Sequence, residues 1–204
     1  MRYKQYKLCW VKTSNREIFD LLKAWLGISL AFGLAFAGIS KGLGYGFLIS
    51  LAVTGTAFLI HELSHKVVAQ KYNYPAEFRA FDNMIILAII VGFFGFVIAA
   101  PGAVMIKMYK MDVRKYGKIA LAGPLSNILL AVLFMIIFYT IPGSNVPVFS
   151  GWGIGSLLIG INGFIALFNM IPVWMFDGAK IWKWNKPVYI VTTLVAIAIV
   201  IFAI

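Results

Sequence analysis

The chain has two histidines, and both fall in residues 60–66, "IHELSHK". His61 and His65 are four residues apart, so on a helix both imidazoles leave the same face. That spacing suits two ligands of one tetrahedral zinc ion. Glu62, about 100° further round the helix, can reach a water on such an ion from the side and act as general base, the division of labour of an HExxH motif. The plainer reading is a pair of buried histidines hydrogen-bonded to neighbouring helices. Against it, the residues leading into the motif, "LGYGFLISLAVTGTAFLI", carry no charge. Ionisable groups in such a run are costly to hold and are functional by default.

A catalytic zinc usually has three protein ligands and a water. There is no third histidine, so the extended HExxHxxGxxH pattern is excluded. Glutamates occur only at 17, 62 and 77, which leaves Glu77, just past the motif's own helix, as the one glutamate available for a ligand role. The aspartates are Asp20, Asp82, Asp112 and Asp177. Asp20 falls in the first turn of a predicted helix, where an acid favours the dipole. Asp112 sits among lysines and an arginine, in a solvated setting, and Asp82 precedes a long apolar run. Asp177, in "MFDGA", follows an apolar helix and has Gly178 beside it to let the backbone bend. It is the preferred third ligand, with a loop or helix-cap carboxylate as the open alternative.

The chain that must position these residues is that of a membrane protein. Of 204 residues, 62% are hydrophobic and 12% charged, with a mean hydropathy of +0.91. Soluble chains are nearer half apolar and about a quarter charged. The net charge of +11 then marks cytoplasmic loop ends and contact with anionic lipid. Nucleic acid is not an expected partner. A single cysteine, Cys9, excludes an internal disulfide. "AFAG" at 35–38 looks like a small-residue cleavage site, but Lys23 interrupts the apolar run, and 18–39 is read as a retained helix.

Residues 2–12, basic and aromatic, suit an interfacial strand or arm. Ser14 and Glu17 have capping-box spacing and open a helix running to about Gly38. Further helices are predicted at about 45–71, carrying HELSH, and at about 118–140, 152–170 and 187–204. Lysine and arginine number six in 1–23, three in 66–82, five in 107–118 and none in the 141–151 loop. The positive-inside rule therefore places the N-terminus, the HELSH end of the second helix and the 107–118 loop in the cytoplasm. The run 83–106 must then begin and end on one side, and its length is too short for two passes at about 20 residues each. It is predicted to be re-entrant or interfacial, with Pro101-Gly102 at the centre of a type II turn and short strands from "FVIA" and "VMI" on either side. A plain spanning helix at 84–102 is the alternative. The expected fold is an all-α polytopic membrane protein: about five transmembrane helices plus this element with short β-strands, in a single domain over 1–204.

These features resemble the site-2 protease family of intramembrane zinc metalloproteases. "HELSH" matches its zinc motif on an early transmembrane helix. "AGPLSN" at 122–127 is similar to its Gly-Pro opening of the next core helix. "FNMIPVWMFDGAK" at 168–180 is similar to its Asn…Pro…Asp-Gly signature, carried by Asn169, Pro172, Asp177 and Gly178, with Ala179 where a second glycine is often found. The resemblance covers about 45–185 and is that of a minimal member without a PDZ or CBS domain.

The resemblance implies a protease with one Zn2+ per chain, bound by His61, His65 and Asp177, with Glu62 as base. Asn169 would help bind substrate or the oxyanion, or else only hydrogen-bond broken backbone. Pro172 would break its helix and turn Asp177 back toward the metal. The Gly-Pro pair reads as helix initiation and close packing rather than chemistry. The implied partners are the lipid bilayer and a transmembrane protein substrate, unwound locally, with the predicted strands at 76–81 and 96–106 offering an edge to pair with it. The protein would be integral and multi-pass, with its active site toward the cytoplasmic side. Readings from other classes are a membrane metal transporter using the same residues and a catalytically inactive binding homologue. No motif names the substrate or an oligomeric state.

Overall fold

Among the described residues, four helices are long and apolar enough to cross a bilayer: Asn15–Phe36, Leu43–Lys71, Val113–Thr140 and Lys186–Ala203. The computed structural model describes residues 4–37, 42–97, 100–108, 111–141, 143, 145–149, 152–173 and 175–203. Packing divides the chain into two units, Met1–Tyr109 and Lys110–Ile204.

The first unit opens with an antiparallel hairpin, β1 (Gln5–Leu8) and β2 (Val11–Ser14). Helix α1 (Asn15–Ala37) follows without a break. Ser14 Oγ accepts the Glu17 N–H at 3.3 Å, which is one half of the predicted capping box. The reciprocal half is missing because the Glu17 carboxylate turns inward to Lys66 and Phe78. Asp20 lies beyond the first turn and faces Lys23 and Arg79, each at 3.8 Å, so its role is ionic rather than dipolar.

The second long helix is α2 (Leu43–Ser50), a wide π-helical turn at Leu51–Gly55, and α3 (Thr56–Lys71). Trp25 of α1 fills the wide turn. Its Nε1 donates to the Leu51 carbonyl at 3.1 Å, and its indole lies where a side chain at Gly55 would go. Such turns often mark functional helices, and this one precedes His61.

Strand β3 (Ala76–Ala80) pairs antiparallel with β4 (Gly102–Ile106), from Ala76↔Ile106 to Ala80↔Gly102. Between them lies α4 (Asp82–Gly92), packed on α1 with Ile85 against Gly27. The Phe81 N–H bonds the Pro101 carbonyl at 2.9 Å, so the chain leaves the ribbon and returns to the same place. Residues 84–102 are therefore not one continuous spanning helix, since α4 ends at Gly92. At 11 residues, α4 is about 16 Å long, half of a hydrocarbon core of about 30 Å.

Two details of the prediction are corrected. "MIILAIIVG" is helix because it is apolar on every side, and only a helix satisfies its own backbone in such surroundings. Phe96 and Val97 belong to no strand, and 98–99 lie outside the described residues. Gly102 is not a turn residue. The left-handed glycines among the described residues are Gly42, Gly95 and Gly143. Gly102 is instead required for space, since a Cβ there would strike the Phe78 ring and the Arg79 carbonyl.

The second unit opens with α5 (Val113–Thr140), capped by Asp112, whose side chain accepts the Lys115 N–H at 3.0 Å. Asp112 is thus a helix cap rather than only a solvated acid, and the helix begins ahead of the predicted residue 118. Gly123 and Pro124 consequently fall inside α5 and do not open it. Packing is their role: both are buried, and Asn127, one turn on, donates to Asn162 of α6 at 2.9 Å. The uncharged 141–151 loop carries a small hairpin, β5 (Pro147–Phe149) with β6 (Trp152–Gly153). Then come α6 (Ile154–Asn169), α7 (Asp177–Trp184) and α8 (Lys186–Ala203). Ile128, Ala131, Ile159, Ala166, Ala196 and Ile199 form the core of α5, α6 and α8. The protein is a largely helical polytopic membrane protein with a few short strands.

The Asn127–Asn162 bond sets a stability test. Asn127→Ala is expected to cost about 0.6–1.7 kcal/mol, seen as a lower thermal-unfolding midpoint in detergent. Ser126→Ala should leave the midpoint unchanged, because the Ser126 hydroxyl bonds only its own helix, at the Gly123 carbonyl.

Candidate metal centre

Helix α3 carries "HELSH" as one face and one flank. His61 and His65 are buried, at 2% and 7% exposure. Their Nε2 atoms stand 3.1 Å apart, with the rings nearly perpendicular at 81°. Two nitrogens on one tetrahedral zinc, each about 2.0–2.1 Å from it, are roughly 3.3 Å apart. The pair therefore fits that ion without rearrangement. Glu62 is half-buried on the same turn.

Three contacts hold α3 in its unit. Phe58, one turn before His61, meets the Phe78 ring of β3 edge-on at 5.9 Å. Lys66, directly after His65, forms a buried ion pair with Glu17 at 2.6 Å. Gln70 clasps the hairpin: its Oε1 accepts the Lys12 N–H at 2.7 Å, and its Nε2 donates to the Lys12 and Ala76 carbonyls at 2.9 Å each.

Sequence reasoning missed Glu17 and Lys66. It placed Lys66 within the predicted helix at about 45–71 but used it only as one of the three basic residues in 66–82, whereas the structure buries it against Glu17. The available signal was a lysine set in "HKVVA", followed by apolar residues at helical positions.

In the second unit, α6 ends at Asn169, ahead of Pro172, as a residue without an N–H and with a clash toward the preceding turn requires. Asn169 Nδ2 donates to the Ile165 carbonyl at 2.9 Å, one turn back in its own helix. The chain then doubles back, with Phe168 and Phe176 packed edge-on at 5.0 Å. Gly178 makes the reversal possible by space rather than by bending: a Cβ there would collide with the Met170 carbonyl. Asp177 is thereby set in the first turn of α7, buried at 6% exposure, with Lys180 Nζ 3.0 Å from its Oδ1. Lys180 also lies over the Tyr116 ring of α5 at 5.6 Å.

The other acids weighed as ligands have structural partners. Glu77 pairs with Arg79 on β3, Asp82 with Lys23, and Asp112 caps α5.

The family model described as "Peptidase family M50" matches residues 46–153, just over half of the chain. A protein of Methanocaldococcus jannaschii named "Putative zinc metalloprotease" is 39% identical over 191 residues, covering 93% of this chain and 95% of that one. No solved structure matches. The motif on α3 lies inside the matched region, and the relative aligns over nearly the whole length of both proteins: the chain belongs to peptidase family M50.

Proposed function

We propose that this protein is an intramembrane zinc endopeptidase that cleaves peptide bonds in or near transmembrane segments of other membrane proteins. One observation carries the reading: two buried imidazoles 3.1 Å apart, on a helix that also bears Glu62, in a chain of peptidase family M50. One Zn2+ per chain is held by His61, His65 and Asp177. Two imidazoles and a carboxylate are a recurring donor set of hydrolytic zinc sites, with the fourth position open to water. The M. jannaschii relative carries zinc in its name.

When bound, the ion lowers the pKa of a water to about 7 and polarises the scissile carbonyl. Glu62 takes the proton from the attacking water and delivers it to the leaving amine. Asn169 is the proposed donor to substrate or oxyanion. Its amide has two N–H groups, of which Ile165 takes one. Lys180, with its Nζ 3.0 Å from Asp177 Oδ1, orients that carboxylate.

The substrate is proposed to add as a strand to the β3–β4 ribbon, and the edges of that ribbon differ. On β3 the outward groups are occupied: the Ala76 carbonyl by Gln70, the Phe78 N–H by Glu17 and the Phe78 carbonyl by Arg79. The edge of β4 at Gly102, Val104 and Ile106 is therefore the docking edge. Beside the ribbon lies a cleft of about 580 Å³ lined by Trp10, Lys12, Tyr74, Glu77, Met105 and Lys107. Its mixed character suits the polar flank of a membrane-spanning segment. The basic N-terminal and 107–118 segments support a cytoplasmic side for both by the positive-inside rule.

Three measurements test the reading. Purified wild-type protein should hold one zinc per chain by metal analysis and cut a single-span reporter flanked by fluorophore and quencher. Glu62→Gln should keep the zinc and lose turnover by about 10²–10⁴-fold, while His65→Ala should lose the zinc. Zinc-free wild-type protein, or undiminished cleavage by Glu62→Gln, would sink the proposal. Metal flux that survives Glu62→Gln would make the protein a transporter. Gly178→Val, by pushing α7 off the Met170 carbonyl, should lower bound zinc without removing any ligand. Val104→Pro should slow reporter cleavage at unchanged zinc content; unaltered cleavage would exclude β4 as the docking edge.

A further inference from the structure

Glu17 is fully buried, at 0% exposure, and Lys66 nearly so at 2%. The Glu17 carboxylate accepts hydrogen bonds from three different elements. Its Oε2 accepts from Lys66 Nζ of α3 at 2.6 Å and from Thr13 Oγ1 of β2 at 2.7 Å. Its Oε1 accepts the backbone N–H of Phe78 in β3 at 2.8 Å. Burying two charges is costly, and an apolar pair of similar volume often holds a fold as well or better. Cohesion alone therefore does not account for this pair. What an apolar pair cannot supply is direction. A carboxylate fixes the height of β3 along α3 by way of one N–H, and fixes α3 by way of a lysine one residue past His65.

We propose that Glu17 and Lys66 are positioning residues that lock the β3–β4 ribbon in register with the metal-ligand helix, so that a strand docked on β4 presents one particular peptide bond to the site. This rests on the strand-docking reading above. The lock acts at the right scale. One residue of strand is about 3.3 Å, and displacement of a reacting group by about 1 Å already costs heavily in rate. A ribbon free to slide along α3 would still bind a substrate strand, but would offer neighbouring bonds as well.

Two neutral double variants separate direction from charge. Glu17→Gln/Lys66→Met keeps a carbonyl for the Phe78 N–H, whereas Glu17→Leu/Lys66→Met removes it. Both should retain one zinc per chain. The glutamine double should cut the fluorophore–quencher reporter at the wild-type bond. The leucine double should spread its cuts over adjacent bonds by product mass spectrometry, with kcat down roughly tenfold, as the loss of about one hydrogen bond implies, and KM within about twofold. Its amides at 76–80 and 102–106 should exchange with deuterium faster than those of the glutamine double. A leucine double with the native cut site and native exchange would overturn the proposal.

If the leucine double does not fold, Glu17→Asp takes its place. The shorter side chain keeps a charge for Lys66 and withdraws from Phe78, so scattered cuts are expected, and a single native cut overturns the lock. If wild type and Glu62→Gln alike fail to cut, the protease reading falls. Deuterium exchange then decides the lock by itself, with equal ribbon protection in the two doubles counting against it.

Discussion

In hydrocarbon every backbone N–H and C=O must find a partner within the protein, and the fold of this chain is organised around the places where its helices cannot supply one. Along α1 and most of α5 and α8 the helix satisfies itself. At the wide turn before "HELSH" it does not, and the Trp25 indole comes to the Leu51 carbonyl. At 76–80 and 102–106 the chain leaves helix, and two strands satisfy each other as a ribbon that rests on α3 through Phe78 and Phe58. At 170–176 the break left by Pro172 is closed by short turns, among them Phe176 N–H to the Val173 carbonyl at 2.9 Å. The proposed metal ligands His61 and Asp177 follow such breaks, at Leu51–Gly55 and 170–176.

Charge follows the same rule. In the first unit, Glu17, Asp20, Glu77 and Asp82 have cationic partners among Lys66, Lys23 and Arg79. The pair at Glu17 differs from the rest in being wholly enclosed. An exposed ion pair contributes little and tolerates movement, whereas this enclosed one is held by three hydrogen bonds to its carboxylate. The contact beside His65 is thus an electrostatic one that the apolar composition of the chain would not suggest.

Much of the fold was legible in the sequence because a bilayer imposes long apolar runs. The second helix at about 45–71 is found as Leu43–Lys71, and the last at about 187–204 as Lys186–Ala203. The charges flanking 83–106 argued against two full passes there, and the segment holds only the short helix α4 between two paired strands. The errors arose where local signals compete with packing. Pro101-Gly102 has the composition of a turn, yet Gly102 is extended because it pairs with Ala80 in the ribbon, where the Phe78 ring leaves no room for a side chain. Gly-Pro at 123–124 has the composition of a helix start, yet lies within α5 because Asp112 caps the helix earlier.

By itself the sequence determined the spacing of the candidate metal pair and the class of protein. Spacing of four residues puts two imidazoles on one face of any helix, and a chain this apolar has no alternative to spanning helices. It also singled out Asp177 by elimination among a few acids. Only the tertiary structure decided which polar groups hold those elements in place: Glu17 reaching Lys66 and Phe78, Gln70 clasping Lys12 and Ala76, and Gly178 seated on the Met170 carbonyl. These are contacts between residues distant in the chain or set by close backbone approach. Their partners depend on how helices pack in space, which no local periodicity encodes.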